Sequence, residues 1–149
     1  MFKAEHTTVS KAAPREIWKL YCDVATWKTW DSSLESSTLD GKFHAGTAGT
    51  LTSKGGPAIP FTLTEVQPER RFVDHTALPG ATLIFTHELE PTLDGTRITH
   101  RIEIIGPDAE RYTQMLGDNL RDGLPEAVEG VSHLAELAPT SLDPKQNSL

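Results

Sequence analysis

Hydrophobic and polar positions change their period twice along this chain. Phe2 to Ser10 closes on Thr7-Thr8-Val9 and reads as a first strand, since β-branched residues suit a pleated surface. Lys11 to Cys22 then carries Ile17, Trp18 and Tyr21 at helical spacing, with Pro14 fitting a first helical turn. Asp23 to Trp30 predicts a second short helix, with Asp23 as N-cap and Trp27 and Trp30 on one face. From residue 34 to residue 106 the pattern becomes short alternating runs. Turn residues break them at Asp40-Gly41, at 54–57, at 67–70, at Pro79-Gly80 and at 91–95. That spacing predicts an antiparallel meander of about six strands. Gly106-Pro107 ends it.

Residues 108–138 repeat Tyr112, Leu116, Leu120, Leu124, Val128, Val131 and Leu134 at intervals of three and four. The pattern predicts one long amphipathic helix. Pro125 removes a backbone donor, so a kink is expected near 121–125. The predicted class is therefore α+β: a curved antiparallel sheet around a long C-terminal helix, with two short helices after strand 1. The sheet must bury one face, and the last helix is its large apolar partner. Residues 1–138 are read as one domain, and the polar, turn-forming stretch 139–149 as a disordered tail.

Composition narrows the function. The chain has 149 residues, enough for a core without disulfides or metals. Its net charge of −7 disfavours nucleic acid and anionic membranes as partners. One cysteine, Cys22, excludes an internal disulfide and a multi-cysteine zinc site, and its apolar helical setting predicts a buried side chain. With no apolar leader and no membrane-length stretch, the expected location is cytoplasmic, without stable membrane insertion. The oligomeric state is left open between monomer and homodimer.

Strand parity selects the inward side chains. Leu83, Phe85, His87 and Leu89 share one phase, as do Ile98, His100, Ile102 and Ile104. A four-residue loop at Thr92–Gly95 puts His87 directly across from His100, and a turn of Asp94-Gly95 alone makes them diagonal. Either register leaves their Cβ atoms roughly 5–8 Å apart. Phe72, Asp74, Thr76 and Leu78 share a phase on the preceding strand, so a two-residue Pro79-Gly80 turn brings Asp74 inward near the histidines. Glu65 is in phase with Phe61 and Leu63, near a rim.

Asp74, His87 and His100 thus form a candidate polar cluster on an apolar wall. It could orient a ligand's hydroxyl or carbonyl, act as acid and base, or close on itself as an internal network. Two histidines and a carboxylate can also hold a metal, but no HExxH or HxH pattern is present, so no metal or other cofactor is assigned. His6, His44, His75 and His133 read as surface or edge residues. Gly46–Gly49 and 54–57 lack the context of phosphate loops, and GxSxG is absent.

An ordered set of local patterns carries a resemblance. They are Ala13-Pro-Arg-Glu-Ile-Trp18, Asp23-Val-Ala-Thr-Trp27 with Trp30-Asp31, and Leu39-Asp-Gly-Lys-Phe43 with Gly46-Thr47. Leu78-Pro-Gly80, His87-Glu-Leu89, Asp94-Gly-Thr-Arg97, His100 and Gly106-Pro107 follow. Together they resemble the START-like, helix-grip superfamily, also called SRPBCC or polyketide cyclase/dehydrase and lipid transport. The resemblance implies a seven-stranded sheet gripping the C-terminal helix over a hydrophobic pocket. It also implies ligands such as lipids, sterols, quinones or polyketides, and no catalytic residue carries over from it.

Three readings follow. The first is a binding module for a small apolar ligand. Phe61, Leu63, Phe72, Leu83, Phe85, Ile98, Ile102, Leu116 and Leu120 would line its cavity, with Asp74, His87 and His100 as polar contacts. The second is a cyclase- or dehydratase-type lyase with His87, His100 and Asp74 as acid–base candidates. The third is an interaction module with a vestigial pocket.

Overall fold

The computed structural model describes residues 2–137; the predicted tail 139–149 lies outside them. The strands are β1 (Phe2–Ser10), β2 (Leu34–Leu39), β3 (Ala48–Ser53), β4 (Ala58–Gln67), β5 (Arg71–Leu78), β6 (Ala81–Thr92) and β7 (Gly95–Ile105). They form one antiparallel sheet in the order β1-β7-β6-β5-β4-β3-β2. The helices are α1 (Pro14–Cys22), a short 3-10 helix at Val24–Thr29, and α2 (Ala109–Leu137). The predicted helix-grip α+β class is the observed one.

Local chemistry sets the boundaries. Pro14 opens α1, where its missing N–H is an orphan in any case. Asp23 precedes the 3-10 helix without a side-chain capping bond, so the predicted cap is not made; the Thr26 N–H bonds the Asp23 carbonyl instead. Gly80, at φ +80, supplies the positive φ of the two-residue turn that pairs Leu78 with Ala81. α2 runs as one helix through Pro125, across the segment where a kink is expected.

α2 packs chiefly on β1 and β7 and only lightly on β6. The other half of the sheet's inner face is covered by α1, the 3-10 helix and the loop after β2. Gly130 permits this arrangement, because a Cβ there would lie 2.5 Å from the Trp30 carbonyl oxygen. The buried side chains form two clusters. One holds Trp18, Tyr21, Trp27, Trp30, Phe61, Leu63, Phe72, Leu89, Ile98, Val128 and Val131. The other holds Phe2, Leu83, Ile102, Ile104, Tyr112 and Leu124, with half-buried Phe85, Leu116 and Leu120 against it.

The outer face is held by charge. Glu5 accepts from Arg101, Arg101 also donates to Glu88, Arg71 bridges Glu88 and Glu65, and the chain of ion pairs crosses five strands. Glu65 belongs to this face because of a bulge between Leu63 and Glu65 that reverses its parity. Its predicted inward position is corrected accordingly, and Val66 takes the inner phase opposite Phe72.

Candidate functional site

The β6–β7 register pairs His87 directly with His100, as a Thr92–Gly95 loop predicts; Leu93-Asp94 are its two unpaired residues. Both histidines are buried, with ring centroids 4.7 Å apart and nearly perpendicular. His87 stacks on Phe72 at 3.9 Å, and its Nδ1 lies 3.4 Å from the Phe72 carbonyl oxygen. A carbonyl only accepts, so Nδ1 carries the proton and Nε2 is left as an acceptor. Burial pulls the His87 pKa down to about 3, against a smaller opposing effect of that hydrogen bond. Burial, then the charges of His87 and His6, holds His100 well below its ordinary value. Both rings are neutral at physiological pH.

Tyr21 completes this group. Its hydroxyl is 2.8 Å from His100 Nε2, and its ring lies 5.6 Å from His87 and 5.0 Å from Phe72. Burial raises the Tyr21 pKa. The Trp27 indole N–H donates to the Tyr21 carbonyl and fixes the 3-10 helix against α1. Trp30 packs on Tyr21 and His100, and its Nε1 is buried without a hydrogen-bond partner among the described residues.

Asp74 sits elsewhere on the same face. Its cross-strand partners are Leu63 and Phe85, whereas His87 faces Phe72. No described hydrogen bond or ion pair involves Asp74, so the three predicted polar residues share a wall but do not form one bonded cluster. Asp74 is 2% exposed, and burial alone pushes its pKa up to about 8. It is a neutral carboxylic acid at pH 7, able to donate one hydrogen bond and accept others. Leu63 belongs to the aromatic cluster and Phe85 to the second cluster. Asp74 therefore marks the seam between them.

The predicted lining residues divide along the same seam. Phe61, Leu63, Phe72 and Ile98 are buried in the aromatic cluster. Leu83 and Ile102 are buried on the other side, where Phe85, Leu116 and Leu120 stay half-buried. His6 stands half-buried on the edge strand β1, as expected of a surface or edge residue. It pairs with His100 in register, so it shares the inner face, and its Nε2 lies 3.7 Å from Glu129 of α2. Strand parity at Ala4, His6 and Thr8 carried that signal. Cys22, expected to be buried, is exposed. It borders an open cleft of about 510 Å³ with Val24, Ala25, Leu39, Lys42 and Phe43. A second cleft, about 440 Å³, lies around Arg70, Arg71 and Arg97. No group of three or more His, Cys, Asp or Glu side chains among the described residues could hold a metal, and no described helix is long and apolar enough to cross a membrane.

Comparison with solved structures gives the same architecture. A Mesorhizobium loti protein matches with a TM-score of 0.71 at 17% identity, over 89% of this chain and 96% of its own. A Thermus thermophilus protein matches with a TM-score of 0.72 at 14% identity, over 93% and 100%. Norcoclaurine synthase from Thalictrum flavum matches with a TM-score of 0.69 at 16% identity, over 92% and 87%. At these identities the likeness is one of fold. No curated relative matches the chain. The family model described as polyketide cyclase / dehydrase and lipid transport matches residues 1–135. With its seven strands, its gripped C-terminal helix and that match along nearly all its length, the chain belongs to the polyketide cyclase / dehydrase and lipid transport family.

Proposed function

We propose that the seam at Asp74 binds a small apolar molecule carrying one neutral oxygen, a carbonyl or hydroxyl, of the lipid, quinone or polyketide kind. The observation that carries this reading is the Asp74 carboxyl itself. It is 2% exposed, has no described partner, and lies between Leu63 and Phe85. Burial makes the ionised carboxyl costly and keeps it protonated, and a ligand oxygen accepting that proton offsets the cost of burying it. Half-buried Phe85, its cross-strand neighbour, supplies apolar surface beside it, and half-buried Leu116 and Leu120 pack against the same cluster as Phe85. Apolar walls with a few convergent polar groups are the usual make-up of small-molecule sites. The net charge of −7 supports a small-molecule partner over a nucleic acid.

A thermal-shift series tests this reading. Carbonyl-bearing apolar compounds are expected to raise the Tm of the wild type more than hydrocarbons of matched size. In Asp74→Leu the difference between the two sets is expected to vanish while folding is retained. Equal shifts for both sets in the wild type, or none with either, would contradict it.

A catalytic reading has one specific support. A carboxyl with a pKa of about 8 is a competent general acid at neutral pH, and a cyclase or dehydratase step needs a proton delivered to oxygen. His87, with its pKa near 3, is a weak base for the complementary role. Binding therefore comes first and turnover second, with Asp74 as the acid if turnover occurs.

A further inference from the structure

The loop between β2 and β3 is anchored at both ends, and its middle bonds only to itself. The Asp40 N–H bonds the Ala48 carbonyl, and the Gly46 N–H bonds the Leu63 carbonyl. Leu63 returns a bond to Thr47. Between these anchors, every described hydrogen bond made by residues 41–45 ends within residues 42–47. Four of those five residues are exposed, and Phe43 is the one turned inward. Its ring meets Trp18 at 5.7 Å and Phe72 at 5.1 Å, both edge to face. Phe72 in turn stacks on His87. On its other side Phe43 lines the cleft of about 510 Å³ that also holds Cys22, Val24, Ala25 and Leu39. A segment held by one side chain's contacts opens locally at small cost. The other half of the inner face is closed by α2 against β1 and β7.

We infer that the cleft beside Cys22 is the entrance through which the ligand reaches the inner face, and that Phe43 is its gate. The inference rests on the apolar-pocket reading above. When the 41–45 segment swings outward, the Phe43 ring leaves Trp18 and Phe72, and the cleft joins the inner face at Phe72, two residues from Asp74 on β5. When it closes, the ring restores the apolar wall and excludes water. A gate of this kind sets how fast a ligand enters and leaves, more than how tightly it is held.

Stopped-flow uptake of the neutral fluorescent probe N-phenyl-1-naphthylamine tests the gate. Phe43→Ala is expected to raise both the association and dissociation rates about tenfold, from loss of its two edge-to-face contacts, with Kd kept within about threefold. Phe43→Leu, which keeps an apolar side chain, is expected to fall between the two. Cys22 allows a second measurement on the wild-type sequence: labelling it with a pyrene maleimide is expected to slow uptake, while the small N-ethylmaleimide leaves it nearly unchanged. Probe binding with rates unaffected by either manoeuvre would overturn the gate and leave the pocket standing. Absence of probe binding in the wild type and every variant would overturn the pocket, and the gate with it.

Discussion

At the scale of single residues, Asp74 is the side chain whose chemistry conflicts most with its surroundings. In the unfolded chain its carboxyl ionises above about pH 4, whereas in the fold it holds its proton to about pH 8. Between those values the folded state binds one proton more, so burying Asp74 costs stability increasingly as pH rises. Asp74→Asn removes that cost with little change of shape. The variant is expected to gain more Tm at pH 8 than at pH 5; an equal gain at both would show that Asp74 is already ionised in the fold. Tyr21 presents the reverse situation. Tyr21→Phe leaves His100 Nε2 buried without its partner and is expected to cost about 1–3 kcal/mol by denaturant unfolding. A neutral result would mean that the 2.8 Å contact contributes nothing. Parity placed His87, His100 and Asp74 on the inner face, because alternation depends only on sequence. The partnership of Tyr21 with His100 was not legible, because it depends on how α1 lies over the sheet.

Among the elements, Gly130 decides how closely α2 approaches the 3-10 helix. Alanine is the better helix former by about 1 kcal/mol, so Gly130→Ala would stabilise an isolated helix. Here its Cβ would lie 2.5 Å from the Trp30 carbonyl oxygen, and α2 or the 3-10 helix must shift. The substitution is expected to destabilise by about 1–3 kcal/mol and to perturb Trp30 fluorescence. A more stable Gly130→Ala with unchanged fluorescence would contradict the packing. The seven strands, the helices and their order were legible from periodicity and turn residues. The parity of Glu65 was not, because the bulge after Leu63 adds a residue that no local composition announces. The burial of Cys22 was misjudged for a related reason: it ends α1, and its exposure follows from where the chain turns at Asp23.

The whole molecule combines these titrations. Folded His87 and His100 stay neutral, while in the unfolded chain each gains a proton below about pH 6.5. Stability is therefore lost as pH falls below 6.5, and Asp74 removes it as pH rises toward 8. The three groups together place maximum stability near pH 6.5, measurable by thermal denaturation from pH 5 to 8.5. Asp74→Asn is expected to flatten the alkaline side of that curve and to steepen its acid side, because Asp74 opposes the histidines below pH 6.5. A wild-type curve that rises steadily through pH 8 would contradict the assignment. The family itself was legible across most of the chain, since the ordered patterns from Ala13 to Pro107 fall at the helix starts and turns that the helix grip requires. The seam was not, because it arises where two clusters that share β6, β7 and α2 fail to merge.

Amide NMR spectra recorded while a small quinone is titrated in test directly whether an apolar ligand occupies that seam. Shifts are expected to concentrate at Leu63, Asp74, Phe85, Leu116 and Leu120, with Glu5, Arg71 and Arg101 on the outer face unmoved. Shifts confined to the outer face, or no shifts with any carbonyl-bearing apolar compound, would contradict it.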